Sequence, residues 1–449
     1  MRRARFNAYL AVSCGVLFTV FSLPAFAKTL CVNSAGSSGC YKKIQTAVNN
    51  ASAYDVIHVA AGEYKEQVTI GKSLSLLGSG GNLTTIDATG LAHGIFVDGF
   101  DHPGLHNVTI SRFTIRNATF EGILVVSASD VTIRNNNITG NDKSQGLEFT
   151  GATTGCPDQP GNQVYENDET GDCGGGLHLI GTVGSIISGN SISSNADGIL
   201  ISDETAESRN NLLIGNTVKN NPLECGIVLA SHPPIGHVSA PYAPHYGVDN
   251  NTVAGNVSEH NGVQVGGSGV GLFTDGNGRG RVTGNVVAGN KLIGNGLGGV
   301  ALHTHVGPSM GLPADNMRGN AIIGNLISGN GADAEDTATP GTVGININSG
   351  AGGSPVRDTI ISDNTISDED VDVAVNTPAE VDLHLNDLLG GKVGVANVCA
   401  FDKAKVCTGS ADATENYWGC AAGPGSAGCS KISGSFVLAA PALSRSATH

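Results

Sequence analysis

Four short segments of similar sequence each end in a residue that can do acid–base or metal chemistry. Each begins with glycine and has apolar second and fourth residues: GILISDE (198–204), GIVLASH (226–232), GVGLFTD (269–275) and GVALHTH (299–305). Their seventh residues are Glu204, His232, Asp275 and His305. A carboxylate beside a histidine can orient the imidazole ring and set its protonation, as an acid–base pair requires.

Two further ionisable residues accompany this row, because Asp203 precedes Glu204 and His303 lies two residues before His305. Two carboxylates, for example Asp203 or Glu204 with Asp275, could act as acid and base in glycoside hydrolysis. The row could instead hold a divalent metal such as calcium, copper or zinc. The metal ligands would then be His232, Asp275 and His305. A polar outer face with solvated histidines is the third interpretation.

Residues on related segments and on the loops that follow them are predicted to contact substrate. Glu148 and His178 occupy the third positions of GLEFTGA (146–152) and GLHLIGT (176–182), and we expect them on neighbouring coils. Long insertions follow His232 and His305, and functional residues concentrate on such loops. The candidate binding residues there are His237, Tyr242, His245, Tyr246 and Arg318. In a lyase reaction, a histidine could remove the proton next to a substrate carboxylate, and Arg318 or a metal could neutralise that carboxylate.

The elements that must position these residues are short strands in a repeat. Seven segments, such as VTIRNNNITGN from Val131 and NAIIGNLISGN from Asn320, carry a β-branched run, an asparagine turn and a second apolar run. Asparagine tolerates turn conformations, and its amide can hydrogen-bond to coils above and below. The predicted ladder consists of Asn136, Asn190, Asn216, Asn256, Asn290, Asn325 and Asn364. Such a repeat indicates a solenoid, whose stacked coils bring the seventh positions together.

The repeats, the stretch YKKIQTAVNNASAYDVIHVAAGEYKEQVTIGKSLSLLGSG (41–80) and the closing ATENYWGCAAGPG (413–425) resemble the pectin-lyase-like superfamily. They are most similar to NosD-like proteins with parallel β-helix (PbH1) repeats. The resemblance implies an all-β, single-domain right-handed parallel β-helix with an N-terminal capping helix near residues 41–50. The superfamily contains lyases, hydrolases, epimerases and adhesins, so the resemblance specifies a fold rather than an activity.

The first residues have the pattern of an export signal. Arg2, Arg3 and Arg5 precede an apolar run over 8–23 and an A-x-A pattern that ends at Ala27, which predicts a signal peptide over 1–27. The β-helix would occupy 28–449, with caps over 28–55 and 399–449. The protein would be secreted or periplasmic, without a membrane span. Loss of the three arginines changes the formal charge from −15 to −18, which disfavours nucleic acid and anionic membranes.

The ten cysteines indicate disulfides rather than zinc. Cys14 lies in the signal segment, Cys225 is left over, and the other eight fall into close pairs without C-x-x-C spacing. The expected pairs are Cys31 with Cys40, Cys156 with Cys173, Cys399 with Cys407, and Cys420 with Cys429. Acidic clusters over 333–336 and 368–372 could bind calcium or form solvated turns.

Three functions remain open at this point. The first is a carbohydrate-active enzyme, a polysaccharide lyase or glycoside hydrolase, acting on an extracellular polysaccharide or oligosaccharide. The second is a periplasmic, copper-related metal-binding protein, as the NosD-like resemblance implies. The third is a non-catalytic surface or adhesin-like solenoid. The sequence contains no P-loop, dinucleotide-binding fingerprint, G-x-S-x-G or H-E-x-x-H motif.

Overall fold

The computed structural model describes part of the chain. The described residues are 27–141, 175–232, 234, 245–275, 278–304, 306, 311–333, 341–349, 354–375, 379–398 and 409–447. Several predicted features lie outside them: the signal peptide apart from Ala27, the site residues Glu148, His237, Tyr242 and His305, and the cysteines Cys156, Cys173, Cys399 and Cys407. Those assignments, and the domain boundaries, stay predictions.

The described chain is a stack of coils whose strands line up in three long parallel sheets and one short one. We call the 12-stranded sheet the site sheet, since it carries the candidate residues. In stacking order it contains β4 (Val68–Ile70), β7 (Ile95–Asp98), β10 (Ile123–Val126), β13 (Leu177–Ile180), β16 (Ile199–Ser202), β20 (Ile227–Ser231), β24 (Val270–Thr274), β28 (Val300–Thr304), β31 (Val343–Ser349), β34 (Val371–Val375), β37 (Val393–Asn397) and β39 (Lys431–Gly434).

The other sheets complete each coil. The 14-stranded sheet contains β1 (Thr29–Val32), β2 (Val56–Val59), β5 (Ser75–Gly78), β8 (Thr109–Ser111), β11 (Thr132–Arg134), β14 (Ile186–Ser188), β18 (Leu212–Ile214), β22 (Thr252–Ala254), β26 (Val286–Ala288), β29 (Ala321–Ile323), β32 (Val356–Ser362), β35 (Ala379–His384), β38 (Ser410–Asp412) and β40 (Val437–Leu438). The 11-stranded sheet contains β3 (Gly62–Tyr64), β6 (Thr84–Asp87), β9 (Thr114–Arg116), β12 (Asn137–Thr139), β15 (Ser191–Ser193), β19 (Thr217–Lys219), β23 (Val257–Glu259), β27 (Lys291–Ile293), β30 (Leu326–Ser328), β33 (Thr365–Ser367) and β36 (Asp387–Leu388). The short sheet contains β17 (Ser208–Arg209), β21 (Val248–Asp249) and β25 (Val282–Thr283).

The core fills the inside of the coils, and its two ends are closed. Inward-facing isoleucine, leucine and valine side chains from the three long sheets form one continuous buried cluster. At the N-terminal end the helix α1 (Ile44–Asn50) buries Ile44, Ala47 and Val48 in that cluster. At the other end Trp418 is fully buried in it. The predicted β-helix with one capping helix is confirmed.

The predicted asparagine ladder is present and is longer than the sequence indicated. Each side-chain amide donates to the side-chain oxygen of the next asparagine over 2.9–3.1 Å, from Asn136 through Asn364 and on to Asn386 and Asn416. A second ladder runs from Asn141 to Asn330 and ends on Glu369. These buried amides satisfy turn backbone groups that would otherwise lack partners.

Strand register in the site sheet follows the predicted alignment with one correction. Ile199 pairs with Ile227, Ile227 with Val270, and Val270 with Val300, so the apolar second positions do lie in one column. However, β13 pairs directly with β10, and His178 lies between Leu124 and Leu200. The neighbours of His178 in its column are thus Leu124 and Leu200 rather than the expected Glu148, which lies outside the described residues.

Two of the four predicted disulfides lie in the described regions. They join Cys31 to Cys40 near the first strand, and Cys420 to Cys429 near the last coil. The other two, which would join Cys156 to Cys173 and Cys399 to Cys407, fall on residues outside those regions and stay predictions.

The remaining cysteine of the described chain is interior. Cys225 is buried, and its Sγ accepts a hydrogen bond from the Ser268 N–H. Within the described ranges, no helix has the length and apolar character needed to cross a bilayer.

Candidate functional site

The candidate site lies where four neighbouring strands of the site sheet end, at β16, β20, β24 and β28. Because side chains alternate along a strand, the sixth position of each segment faces the inside of the coil and the seventh faces out. Asp203 and Ser231 occupy sixth positions on adjacent coils, and Glu204, His232 and Asp275 occupy seventh positions on three successive coils. All five are at most 3% exposed, so the expectation of a solvated polar face is wrong for them.

The first pair in the outer row is Glu204 with His232. Glu204 Oε1 lies 2.8 Å from His232 Nδ1, and both side chains are buried. Burial by itself would raise the pKa of Glu204, but the charge and hydrogen bond of His232 outweigh it and lower that pKa. An ionised carboxylate held this way fixes the proton on Nδ1 and directs acid–base chemistry to Nε2.

The second pair in the outer row is Asp275 with His245. His245 returns to the strand ends after β20, and its Nε2 lies 3.5 Å from Asp275 Oδ1. Its Nδ1 lies 3.0 Å from Ser231 Oγ. Burial, followed by the charge of His232, lowers the pKa of His245 to about 4. The ring is therefore neutral near pH 7, which lets one nitrogen donate while the other accepts.

Asp203 lies behind the outer row and holds backbone groups in place. Its Oδ1 accepts the His232 N–H over 2.8 Å, and its Oδ2 accepts the Ser231 hydroxyl over 3.2 Å and the Gly247 N–H. Burial raises the pKa of Asp203 to about 7. Both carboxylate oxygens are thus engaged inside the coil, which separates Asp203 from the outward-facing Glu204.

Sequence reasoning missed two residues that belong to this network. Asp315 accepts the Thr274 hydroxyl over 2.8 Å and the Gly280 N–H over 3.0 Å, and burial raises its pKa to about 6. Arg281 donates its backbone N–H to Ser231 Oγ over 3.0 Å. Both follow insertions of different length, so their positions in the sequence carry no repeat signal that could have identified them.

A third histidine–carboxylate pair lies beside the row. His303 Nε2 is 2.9 Å from Asp333 Oδ2, which also accepts the Asn346 amide over 2.8 Å. Asp333 is buried, while the rest of the predicted acidic cluster 333–336 lies outside the described residues, so the assignment of that cluster stays a prediction. The half-buried Phe273 ring meets the His303 ring edge-on, with 5.3 Å between the ring centroids. It also lies over Gly271, where the Cβ atom of any other residue would overlap the ring. The partly exposed aromatic ring beside this buried pair is that of Phe273.

The second acidic cluster, 368–372, is also partly interior. Glu369 is buried and accepts the backbone and side-chain amides of Asn330, which ends the second ladder. Burial raises the pKa of Glu369 to about 7 and that of Asp372 well above its usual range. The cluster therefore terminates a structural network.

Three predicted substrate-binding residues have other surroundings. His178 is fully buried, with its Nε2 2.7 Å from Ser202 Oγ. Tyr246 is exposed, and its carbonyl accepts from the Arg281 guanidinium. Arg318 is exposed and pairs with Asp358. In the described part of the chain, Arg281 rather than Arg318 contacts the network around Ser231.

The metal interpretation finds no support in the described geometry. Among the residues that the structure describes, no group of three or more His, Cys, Asp and Glu side chains is arranged to hold an ion. Of the expected ligands, His232 is engaged with Glu204, Asp275 faces His245, and His305 lies outside the described residues.

Comparison with known proteins supports the fold. The family model for the right-handed β-helix region matches residues 93–240. No curated protein matches the chain. Among solved structures, the catalytic unit of a GH87 α-1,3-glucanase from Streptomyces thermodiastaticus is 15% identical, with a TM-score of 0.50, over 95% of this chain and 71% of that one.

Two other solved structures match at lower similarity. The A-module of mannuronan C-5 epimerase AlgE6 from Azotobacter vinelandii is 16% identical, with a TM-score of 0.45, over 89% of this chain and 94% of that one. An alginate lyase from Paenibacillus sp. is 11% identical, with a TM-score of 0.33, over 92% and 99%. At 15% identity, the match with a TM-score of 0.50 indicates architecture only. The described chain has the fold of a right-handed parallel β-helix.

Proposed function

We propose that this protein is an exported carbohydrate-active enzyme, a glycoside hydrolase or polysaccharide lyase. The observation that carries the proposal is the outer row itself. Two histidine–carboxylate pairs, Glu204–His232 and His245–Asp275, lie on adjacent coils at the end of the site sheet. Buried titratable groups with shifted pKa values are typical of acid–base sites, and here the pKa values of Glu204 and His245 are lowered while that of the neighbouring Asp203 is raised.

The two pairs suit complementary roles. Glu204 keeps His232 in one tautomer, so His232 Nε2 can take or give a proton at the reacting carbon or oxygen. Asp275 supplies the second acid–base group, one coil away. Both cleavage chemistries require such a pair: hydrolysis protonates the leaving oxygen while water is activated, and elimination removes a carbon-bound proton before the leaving oxygen is protonated.

Independent observations support the substrate class and the location. The solved structure that matches with a TM-score of 0.50 is the catalytic unit of an α-1,3-glucanase. Phe273 offers an aromatic face of the kind that stacks on sugar rings. Export is supported by the signal-like residues 1–27 and by two disulfides, which persist in oxidising compartments.

A screen of purified protein against neutral and uronate polysaccharides tests the proposal. New reducing ends indicate hydrolysis, and ultraviolet absorbance of unsaturated uronates indicates elimination. The double variant Glu204→Gln/Asp275→Asn should lose the activity, while the control Glu380→Gln, at an exposed position on β35, should retain it.

Full activity of the double variant would place the reaction elsewhere on the molecule. Folded wild-type protein that cleaves none of the polysaccharides would instead favour the adhesin-like, non-catalytic solenoid.

A further inference from the structure

A path of polar side chains connects the inside of the coil to the outer row through two hydrogen-bonding contacts and one longer ion-pair contact. It starts at Asp203 Oδ2, which lies 3.2 Å from Ser231 Oγ. Ser231 Oγ lies 3.0 Å from His245 Nδ1, and His245 Nε2 lies 3.5 Å from Asp275 Oδ1. Asp203 follows β16, Ser231 ends β20, His245 lies in the insertion after β20, and Asp275 follows β24. All four side chains are buried.

The hydrogen-bond capacity of Ser231 makes this path directional. A serine hydroxyl has one proton to donate and two lone pairs that accept. One lone pair is occupied by the Arg281 N–H at 3.0 Å. The single hydroxyl proton can therefore point to Asp203 or to His245, but not to both. Whichever group does not receive it must itself donate to Ser231.

We propose that Ser231 and His245 form a proton relay from Asp203 to Asp275. In one state Asp203 carries the proton and donates to Ser231, Ser231 donates to His245 Nδ1, and His245 Nε2–H faces the Asp275 carboxylate. Transfer moves the Asp203 proton to Ser231 Oγ, the Ser231 proton to Nδ1, and the Nε2 proton to Asp275. Asp203 ends ionised, Asp275 ends as a neutral acid, and Ser231 and His245 remain neutral.

The surroundings of both ends suit this exchange. The N–H groups of His232 and Gly247 donate to Asp203 and stabilise its ionised form. The pKa of Asp203, raised by burial to about 7, leaves it a proton to give near neutral pH. The pKa of His245, lowered to about 4, keeps its ring able to accept and donate at once.

Other charged groups face the relay without interrupting it. The charges of Glu204 and His232 act on both Asp203 and His245. The Arg281 guanidinium is engaged with Glu207 and Asp249. The relay rests on the proposed function in one respect: it gives Asp275 the proton that a general acid must deliver.

A substrate-free experiment tests the relay. Nitrogen-15 NMR of histidine-labelled protein reports which ring nitrogen of His245 carries the proton, and a His245→Gln spectrum assigns its signals. Between the pKa values of His245 and Asp203, about 4 and about 7, we expect the Nε2–H form. As Asp203 ionises, its carboxylate takes the Ser231 proton, so the population of the Nδ1–H form should rise.

Variants distinguish the relay from a direct electrostatic effect of the Asp203 charge on the His245 tautomer. Ser231→Ala should abolish the tautomer change, and Asp203→Asn should abolish it by removing the titrating group. Ser231→Thr should preserve it, because threonine occupies the paired position on the next coil, Thr274.

An unchanged tautomer in wild-type protein, or the same change in Ser231→Ala, overturns the relay. Neither result depends on a glycan substrate. Failure of the relay is therefore distinguishable from failure of the proposed function.

Discussion

The buried carboxyl group of Asp203 should make the free energy of unfolding depend on pH in a defined direction. The folded state keeps a proton on Asp203 up to about pH 7, whereas the unfolded chain loses it near the ordinary aspartate pKa of 3.8. Between these values the folded state binds more protons than the unfolded state. Stability contributed by this group is thus complete at low pH and falls as the pH rises.

The magnitude follows from the same two pKa values. Each pH unit in this interval removes about 1.4 kcal/mol, so the interval of roughly three units removes about 4 kcal/mol. Asp203→Asn cannot ionise and escapes this loss, although its amide gives up one of the hydrogen bonds that the carboxylate accepts. Relative to wild type, the variant should gain about 4 kcal/mol in unfolding free energy between about pH 4 and about pH 8.

Urea unfolding of both proteins across this pH range, followed by circular dichroism, measures the difference. The raised pKa values of Asp315 and Glu369 act in the same direction and the lowered pKa of His245 in the opposite one. These contributions are common to both proteins and cancel to first order. Asp382→Asn, at an exposed position on β35, controls for loss of one negative charge. A difference that is constant with pH, or that favours wild type at high pH, would refute the reasoning.

Three other predictions concern the ladder, the site and its substrate. Asn256→Ala removes the oxygen that accepts both the backbone N–H and the side-chain amide of Asn216, and it should destabilise the fold by about 3 kcal/mol. The exposed Asn49→Ala is the control, and equal denaturation midpoints of the two variants would contradict this prediction. Glu204→Gln should lower kcat about 10²–10⁴-fold on any glycan that the enzyme cleaves, because His232 loses its charged partner; steady-state rates unchanged from wild type would exclude that role. Neutral glycans should bind more tightly than polyuronates at low salt, since the site is rich in carboxylates and the Arg281 guanidinium is already paired. Tighter binding of a polyuronate in calorimetry would contradict this prediction.

Much of the candidate site could be located from sequence because the fold is periodic. Aligning segments on their second and fourth apolar residues places Glu204, His232 and Asp275 on successive coils, and the strand register agrees. The alignment did not give the neighbours of His178, which are Leu124 and Leu200. It also gave no sign of Arg281 or Asp315, which follow insertions where the repeat is interrupted.

The sequence by itself determined the architecture, the inward-facing core and the first asparagine ladder, because each depends on local alternation repeated many times. Only the tertiary structure decided how the ionisable residues pair. It joined Asp203 to the backbone of His232 and Gly247, and it brought His245, from the insertion that follows His232, between the side chains of Ser231 and Asp275. Burial and partner identity depend on how loops return to the coil, and no repeat in the sequence encodes that return. The row of acidic and histidine residues at the ends of the repeated segments is thus resolved into two histidine–carboxylate pairs, with Ser231 between Asp203 and His245.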